Sequence, residues 1–319
     1  MGQNSHHGST GHSPSCPYCR GGSRHFISTT DRNRHTTSEI FHYYQCSTCK
    51  LVYLDPIPPD LRIFYQGGYQ AIPKSLAELR ALAARDGYRM KPILKHKRSG
   101  KLLDIGSWIG IFACSAKDAG FDVTTIEMDQ DCVEFLNNTA GIRALQSSEP
   151  GDVLAKLDEK FDVITLWHSL EHLKTPWVVI QEAAKRLAPQ GILLVSLPNI
   201  ESYQYTLLKS AWRHLDAPRH LYFYPLESLV ELCQASGLSI VEATTSDEVS
   251  RLLSDDSWLS LAGAVLPIRY AREALYHMLR RMARRAEERA GAGTGLTAVF
   301  ELPEGGDLSI DVDTAVVLA

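Results

Sequence analysis

No uncharged apolar run in this 319-residue chain is long enough to cross a bilayer, which excludes a helical membrane span. Residues 1–15 are polar, rich in Gly, Ser and His, and have no apolar stretch of the kind a secretory signal carries. They read as a disordered tail outside the fold. The chain has neither G-x-G-x-x-G nor a G-K-[ST] phosphate loop, so two nucleotide-binding fingerprints are missing. Its net charge of -4 gives no surplus of positive charge for nucleic acid or an anionic membrane, and nucleic acid is not an expected partner. What is present is ordinary globular composition, 44% hydrophobic, in a length that suits one large domain and a small module.

Seven cysteines without an export signal point to the cytoplasm, where paired cysteines favour metal over disulfides. Cys16-Pro17-Tyr18-Cys19 and Cys46-Ser47-Thr48-Cys49 are two C-x-x-C knuckles separated by 26 residues. Each knuckle places two thiolates on one tight turn, and two turns complete a tetrahedral four-sulfur site with no open position. The expectation is a structural Zn2+ held by Cys16, Cys19, Cys46 and Cys49 in a module over residues 16–60. Cys114, Cys132 and Cys233 fall in helical patterns and read as buried thiols.

Residues 61–100 form a connection, with a helix over 75–97. Tyr65 and Tyr69 flank Gly67-Gly68 there, either as a packed linker or as a lid whose Tyr65 touches substrate. From residue 101 to 319 strand and helix alternate, with strands over 101–105, 122–127, 143–146, 161–167, 191–197, 238–243 and 296–302. This pattern predicts an α/β, doubly wound, Rossmann-like sheet whose ligands bind outside the carboxyl ends of the strands. A helical insertion at about 251–290 carries an Arg-rich amphipathic helix over 270–289. That helix suits packing on the domain or on a second copy of the chain, with membrane-surface or nucleic-acid binding as alternatives.

The run Leu102-Leu103-Asp104-Ile105-Gly106-Ser107-Trp108-Ile109-Gly110 ends a strand in an acid and a glycine turn, with a helix starting at about Ile109. Glycine there lets backbone approach a ligand, and the helix N-terminus offers free N–H groups. Glu127 ends the next strand, followed by Met128, and a carboxylate at that place suits a ribose. After the fourth strand comes Trp167-His168-Ser169-Leu170-Glu171-His172, which on a helical turn puts His168, Glu171 and His172 on one face. They suit a general base, or a divalent cation such as Mg2+ that anchors an acceptor, or a purely structural role. A second cluster holds Trp212, Arg213, His214, Asp216, Arg219, His220 and Tyr222. Its cations suit an anionic ligand and its aromatics an apolar body, with His220 a further catalytic candidate, while an Asp216–Arg219 pair that stiffens the loop is the plainer reading.

Leu102 to Gly106, Glu127, Phe161-Asp162-Val163-Ile164 and Leu170-Glu171-His172 together resemble a class I S-adenosylmethionine-dependent methyltransferase. The run from Trp212 to Leu221 is similar to the branch of that superfamily that carries a zinc-knuckle module in front, a branch of small-molecule, natural-product and sugar methyltransferases. The resemblance implies a seven-stranded sheet whose last strand is antiparallel. It also implies a cofactor site of Asp104, Gly106, Ser107, Trp108, Gly110, Glu127, Met128 and Trp167. Trp108 stands where the family has the middle glycine of its turn, so its indole must point away from the cofactor or wall it. The implied reaction is methyl transfer to a small-molecule acceptor. Arg213, His214, Arg219 and His220 point to an anionic one, such as a prenyl diphosphate methylated on carbon with Glu171 as base, or a nucleotide-linked sugar. An NAD-dependent oxidoreductase, an RNA methyltransferase and a non-catalytic zinc-module protein are the competing readings.

Overall fold

The computed structural model describes residues 14–65, 71–265, 269–289 and 291–304. Most of the tail and the aromatic-loop residues Gly67, Gly68 and Tyr69 lie outside the described residues.

The knuckles bracket a small antiparallel sheet of β1 (Ser23–Thr29), β2 (Phe41–Cys46) and β3 (Val52–Leu54). The connection to the main domain is a broken helix. Ser75 caps α1 (Leu76–Asp86) by accepting the Glu78 N–H, a tight turn follows over Gly87–Arg89, and α2 (Met90–Leu94) completes it. The break replaces the single helix expected over 75–97.

The main sheet is built from β4 (Gly100–Ile105), α3 (Ile111–Asp118), β5 (Phe121–Glu127), α4 (Gln130–Phe135), β6 (Arg143–Gln146), α5 (Pro150–Lys156), β7 (Phe161–Trp167), α6 (Pro176–Arg186) and β8 (Leu187–Pro198). The chain continues through α7 (Tyr203–Leu208), β9 (Tyr222–Phe223), α8 (Leu226–Gln234), β10 (Ser239–Thr244), α9 (Glu248–Val265), α10 (Arg269–Arg289) and β11 (Gly295–Glu301), of which β10 and β11 join the main sheet. The order β6-β5-β4-β7-β8-β11-β10 gives seven strands, with β11 antiparallel to both neighbours, as the resemblance implies. The central strands are apolar on both faces because helices cover both, and Leu102, Leu103, Val163, Ile164 and Leu193 are fully buried. The strand order reverses between β4 and β7, so the crevice opens at their carboxyl ends. Helix α3 starts at Ile111, two residues later than expected. Gly110 enters it in the left-handed conformation at φ 81°.

The front sheet takes its fourth strand from the main domain: β9 pairs antiparallel with β3, Val52 opposite Phe223 and Tyr53 opposite Tyr222. The segment before β9 is therefore interior, and three residues expected to touch substrate are packing residues instead. Trp212 is 1% exposed, with its ring 5.6 Å from Tyr205 and 5.5 Å from His214. Tyr222 is also 1% exposed, lies 5.8 Å from the Trp177 ring and donates its hydroxyl to the Lys174 carbonyl at 3.0 Å. His214 is tied through Nε2 to the Leu253 carbonyl of α9 at 3.0 Å. The reason in each case is the β3–β9 pairing, which turns this stretch into core.

Truncating Trp212→Ala is expected to cost about 3–5 kcal/mol by urea unfolding, the range for a buried indole; a change under about 1 kcal/mol would contradict this packing. Burial of His214 lowers its pKa to about 4. The native state then refuses a proton that the unfolded chain accepts below about pH 6.5. Stability is expected to fall as pH drops from about 6.5 towards 4, by at most about 1.4 kcal/mol per pH unit from this residue. Denaturation midpoints of wild type and His214→Gln across that window check it, because the variant should show a shallower fall.

Candidate active site

The carboxyl ends of β4, β5 and β7 bring Asp104, Gly106, Glu127, Trp167 and His168 to one edge. Gly106 has φ 80° and is exposed, and a Cβ there would lie 2.6 Å from the Cβ of Ser169. Ser169 is held in place because its hydroxyl donates to the Ile105 carbonyl at 2.7 Å. Asp104 is buried and accepts from the Thr165 hydroxyl at 2.8 Å, and desolvation pushes its carboxyl up to about 7. The backbone is open at Gly106 and walled by Ser169 below.

Glu127 is engaged by backbone. Its Oε2 accepts the Trp108 N–H at 2.6 Å, and its Oε1 accepts those of Met128 and Asp129 at 2.8 and 2.9 Å. A carboxylate offers about four lone-pair positions, and these amides take three of them. Trp108 sits at φ 50°, the left-handed region that glycine enters without cost. This explains why a glycine is the usual occupant; here the residue is half-buried and its backbone N–H is the one that donates to Glu127. Met128 is 45% exposed at the rim.

Trp167 is buried, its ring 5.5 Å from Phe112, and its Nε1 has no partner. The Ser107 hydroxyl is likewise buried and unpaired. Two orphaned polar atoms beside an open glycine turn fit a polar ligand there. Sequence reasoning missed Arg89, whose guanidinium lies 5.5 Å over the Trp167 ring while it pairs with Asp86 at 3.0 Å. Only the break at Gly87 brings Arg89 to the crevice, and a continuous helical reading of 75–97 conceals it.

His168, Glu171 and His172 do not share a helical face. His168 stands alone at φ 50°, and Leu170–His172 form one 3-10 turn after it. Glu171 is fully buried and both carboxylate oxygens lack a hydrogen-bond donor. Its Oε1 is 3.5 Å from His168 Nδ1 and 4.0 Å from His220 Nε2. His172 packs edge-on against His220 at 4.6 Å, and its Nδ1 is 3.0 Å from both the Tyr65 hydroxyl and the Arg219 carbonyl. Tyr65 thus reaches the cluster, under the Arg219 guanidinium at 6.0 Å. The structure gathers Tyr65, His168, Glu171, His172, Arg219 and His220, and leaves Trp212, His214 and Tyr222 outside.

The cations that suggested an anionic acceptor are engaged internally. Arg219 is paired with Asp216, Arg213 with Asp256 at 2.7 Å, and burial holds His214 and His220 in the neutral form. The potential ligand group here is Glu171, His172 and His220, in which His220 takes the place expected of His168. Two imidazoles and one carboxylate do not suit Mg2+, which takes oxygen ligands. At the front module the four cysteine sulfurs converge, with Cys16–Cys49 and Cys19–Cys46 Sγ separations of 3.7 and 3.4 Å. Sulfurs around a zinc at 2.3 Å stand about 3.8 Å apart.

A family described as a methyltransferase domain matches residues 75–243, just over half of the chain. The chain belongs to that family, and its main sheet has the seven strands and antiparallel β11 that the resemblance implies. It is 26% identical over 153 residues to the ubiquinone biosynthesis O-methyltransferase of Coxiella burnetii, covering 45% of this chain and 65% of that protein. It is 34% identical over 116 residues to the enzyme of the same name from Haemophilus ducreyi, covering 34% and 49%. The chain thus spans about half to just under two thirds of the length of these curated relatives. Among solved structures it is similar to the Haemonchus contortus phospholethanolamine N-methyltransferase 2, with 13% identity, TM-score 0.50, and coverage of 89% and 68%. A methyltransferase from Archaeoglobus fulgidus aligns at 16% identity and TM-score 0.49, covering 70% and 96%.

Gly106→Ala is expected to weaken S-adenosylmethionine binding at least tenfold, about 1.4 kcal/mol, with circular dichroism unchanged. Titration calorimetry reads this, and wild-type affinity would refute the placement of the turn against the cofactor.

Proposed function

We propose that this protein methylates a hydroxyl oxygen of a small-molecule acceptor, with His168 taking the acceptor proton. The observation that carries this reading is the pair His168–Glu171 on the same sheet edge as the Gly106 turn, 3.5 Å apart. S-adenosylmethionine supplies a methyl group already activated on a sulfonium, so the protein mainly aligns and dries the site. His168 Nε2 is buried and has no partner, free to accept a proton from the acceptor. Glu171 lies deeper than His168, with side chains 1% and 23% exposed. It therefore acts behind the imidazole, stabilising the charge that develops there, and does not itself serve as the base.

The names of the relatives support oxygen as the methylated atom. A prenyl diphosphate or nucleotide-linked sugar loses its basis here, since Arg219, Arg213 and His214 have partners within the fold. A phenolic or enolic hydroxyl fits better, because it is acidic enough for a neutral imidazole to deprotonate. Cys16, Cys19, Cys46 and Cys49 would hold zinc with all four positions filled, a structural ion that takes no part in the transfer.

His168→Gln is expected to lower kcat by about 10²–10⁴ on a panel of phenolic acceptors while leaving cofactor affinity within about twofold. Undiminished turnover would dismiss His168 as the proton acceptor.

A further inference from the structure

We propose that Glu171, His172 and His220 form a second metal site, for a divalent transition ion of the zinc class, directly behind His168. The use made of such an ion rests on the methyl-transfer reading, but its existence does not.

The first observation is the orientation of the two imidazoles. His220 Nδ1 is 2.9 Å from the His214 carbonyl, and His172 Nδ1 is 3.0 Å from the Arg219 carbonyl. A carbonyl only accepts, so each Nδ1 carries the proton and each Nε2 keeps a lone pair. Metal-ligating histidines are held in this way, with the second nitrogen donating to a backbone carbonyl that fixes tautomer and ring orientation. Tyr43 reinforces it by donating its hydroxyl to the His220 carbonyl at 2.7 Å.

The second observation is Glu171. Its side chain is 1% exposed, and neither oxygen has a hydrogen-bond donor. His220 Nε2, also a lone-pair atom, faces it at 4.0 Å. That gap is too long for a shared proton. Donors on one tetrahedral ion at about 2.1 Å lie about 3.4 Å apart, so small side-chain rotations would close the site. The ligand atoms of all three residues already lie within 4.8 Å of one another.

The donor set decides the class of ion. Two imidazoles and a carboxylate suit Zn2+ and its neighbours in the first transition row. Three protein ligands leave a fourth position open, unlike the four-sulfur site in front. An acceptor oxygen there would become more acidic, next to the imidazole that removes its proton.

The test compares metal content of the full-length protein after equilibration with Zn2+ and dialysis. His220→Gln and the more accessible His172→Gln are each expected to hold about one equivalent less than wild type, whatever the front module retains. Replacing zinc by Co2+ should add a weak visible spectrum, lacking thiolate charge-transfer bands, that disappears in the same variants. Thermal melting confirms that each variant folds. Equal zinc content in wild type and both variants, with no such cobalt spectrum, overturns the site. Binding of S-adenosylmethionine to the same samples reports separately on the methyl-transfer reading. Normal cofactor binding with equal metal content removes only the metal site, and a metal difference without cofactor binding removes only the methyl-transfer reading.

Discussion

A carboxylate buried to 0% exposure with no donor on either oxygen is the constraint around which the site is arranged. An isolated charge in such a place costs several kcal/mol even after relaxation. The chain surrounds Glu171 with groups that can share or replace that charge, namely His168 on one side and His220 and His172 on the other. Its own backbone carbonyl accepts from Leu221 N–H at 2.7 Å, so the residue is fixed by the very loop that carries His220. Placing a carboxylate there is a poor choice for stability alone and makes sense as chemistry.

The same loop couples the two halves of the molecule. β9 is only two residues long, yet it joins the front sheet to the segment that holds Arg219 and His220. Asn33 in the front module donates to the Arg213 carbonyl at 2.8 Å and to Asp216, Ser228 of α8 donates to the Cys49 carbonyl at 2.6 Å, and Tyr43 reaches the His220 carbonyl. The knuckles, the loop and the reactive cluster therefore share one network. The module that carries the four converging thiols is thus joined through hydrogen bonds to the loop that holds His220.

The sheet was legible because buried parallel strands are short apolar runs between glycine and polar turns, and each observed strand begins or ends within a few residues of the expected one. The thiols were legible because C-x-x-C is local in sequence. The reactive cluster was legible only in part. His168, Glu171 and His172 were found from their spacing, but a 3-10 turn and a left-handed His168 broke the helical face assumed for them. Trp212, His214 and Tyr222 were misread because aromatic and cationic residues in a loop look the same whether the loop is a lid or a piece of core. What decided between them was the pairing of β3 with β9, a contact across about 170 residues that no local pattern announces. Arg89 was hidden by a helix break at a single glycine.

Trp108 follows from the same kind of argument. A left-handed residue other than glycine costs about 1–2 kcal/mol, so something must hold it. The bond from its backbone N–H to Glu127 does so, with the carboxylate that ends the next strand holding the turn in its left-handed form. A glycine at this position would need no such bond, because it enters that region without cost. With Trp108 in its place, the geometry of the turn leans on Glu127, and the two strand ends are tied together by one short bond.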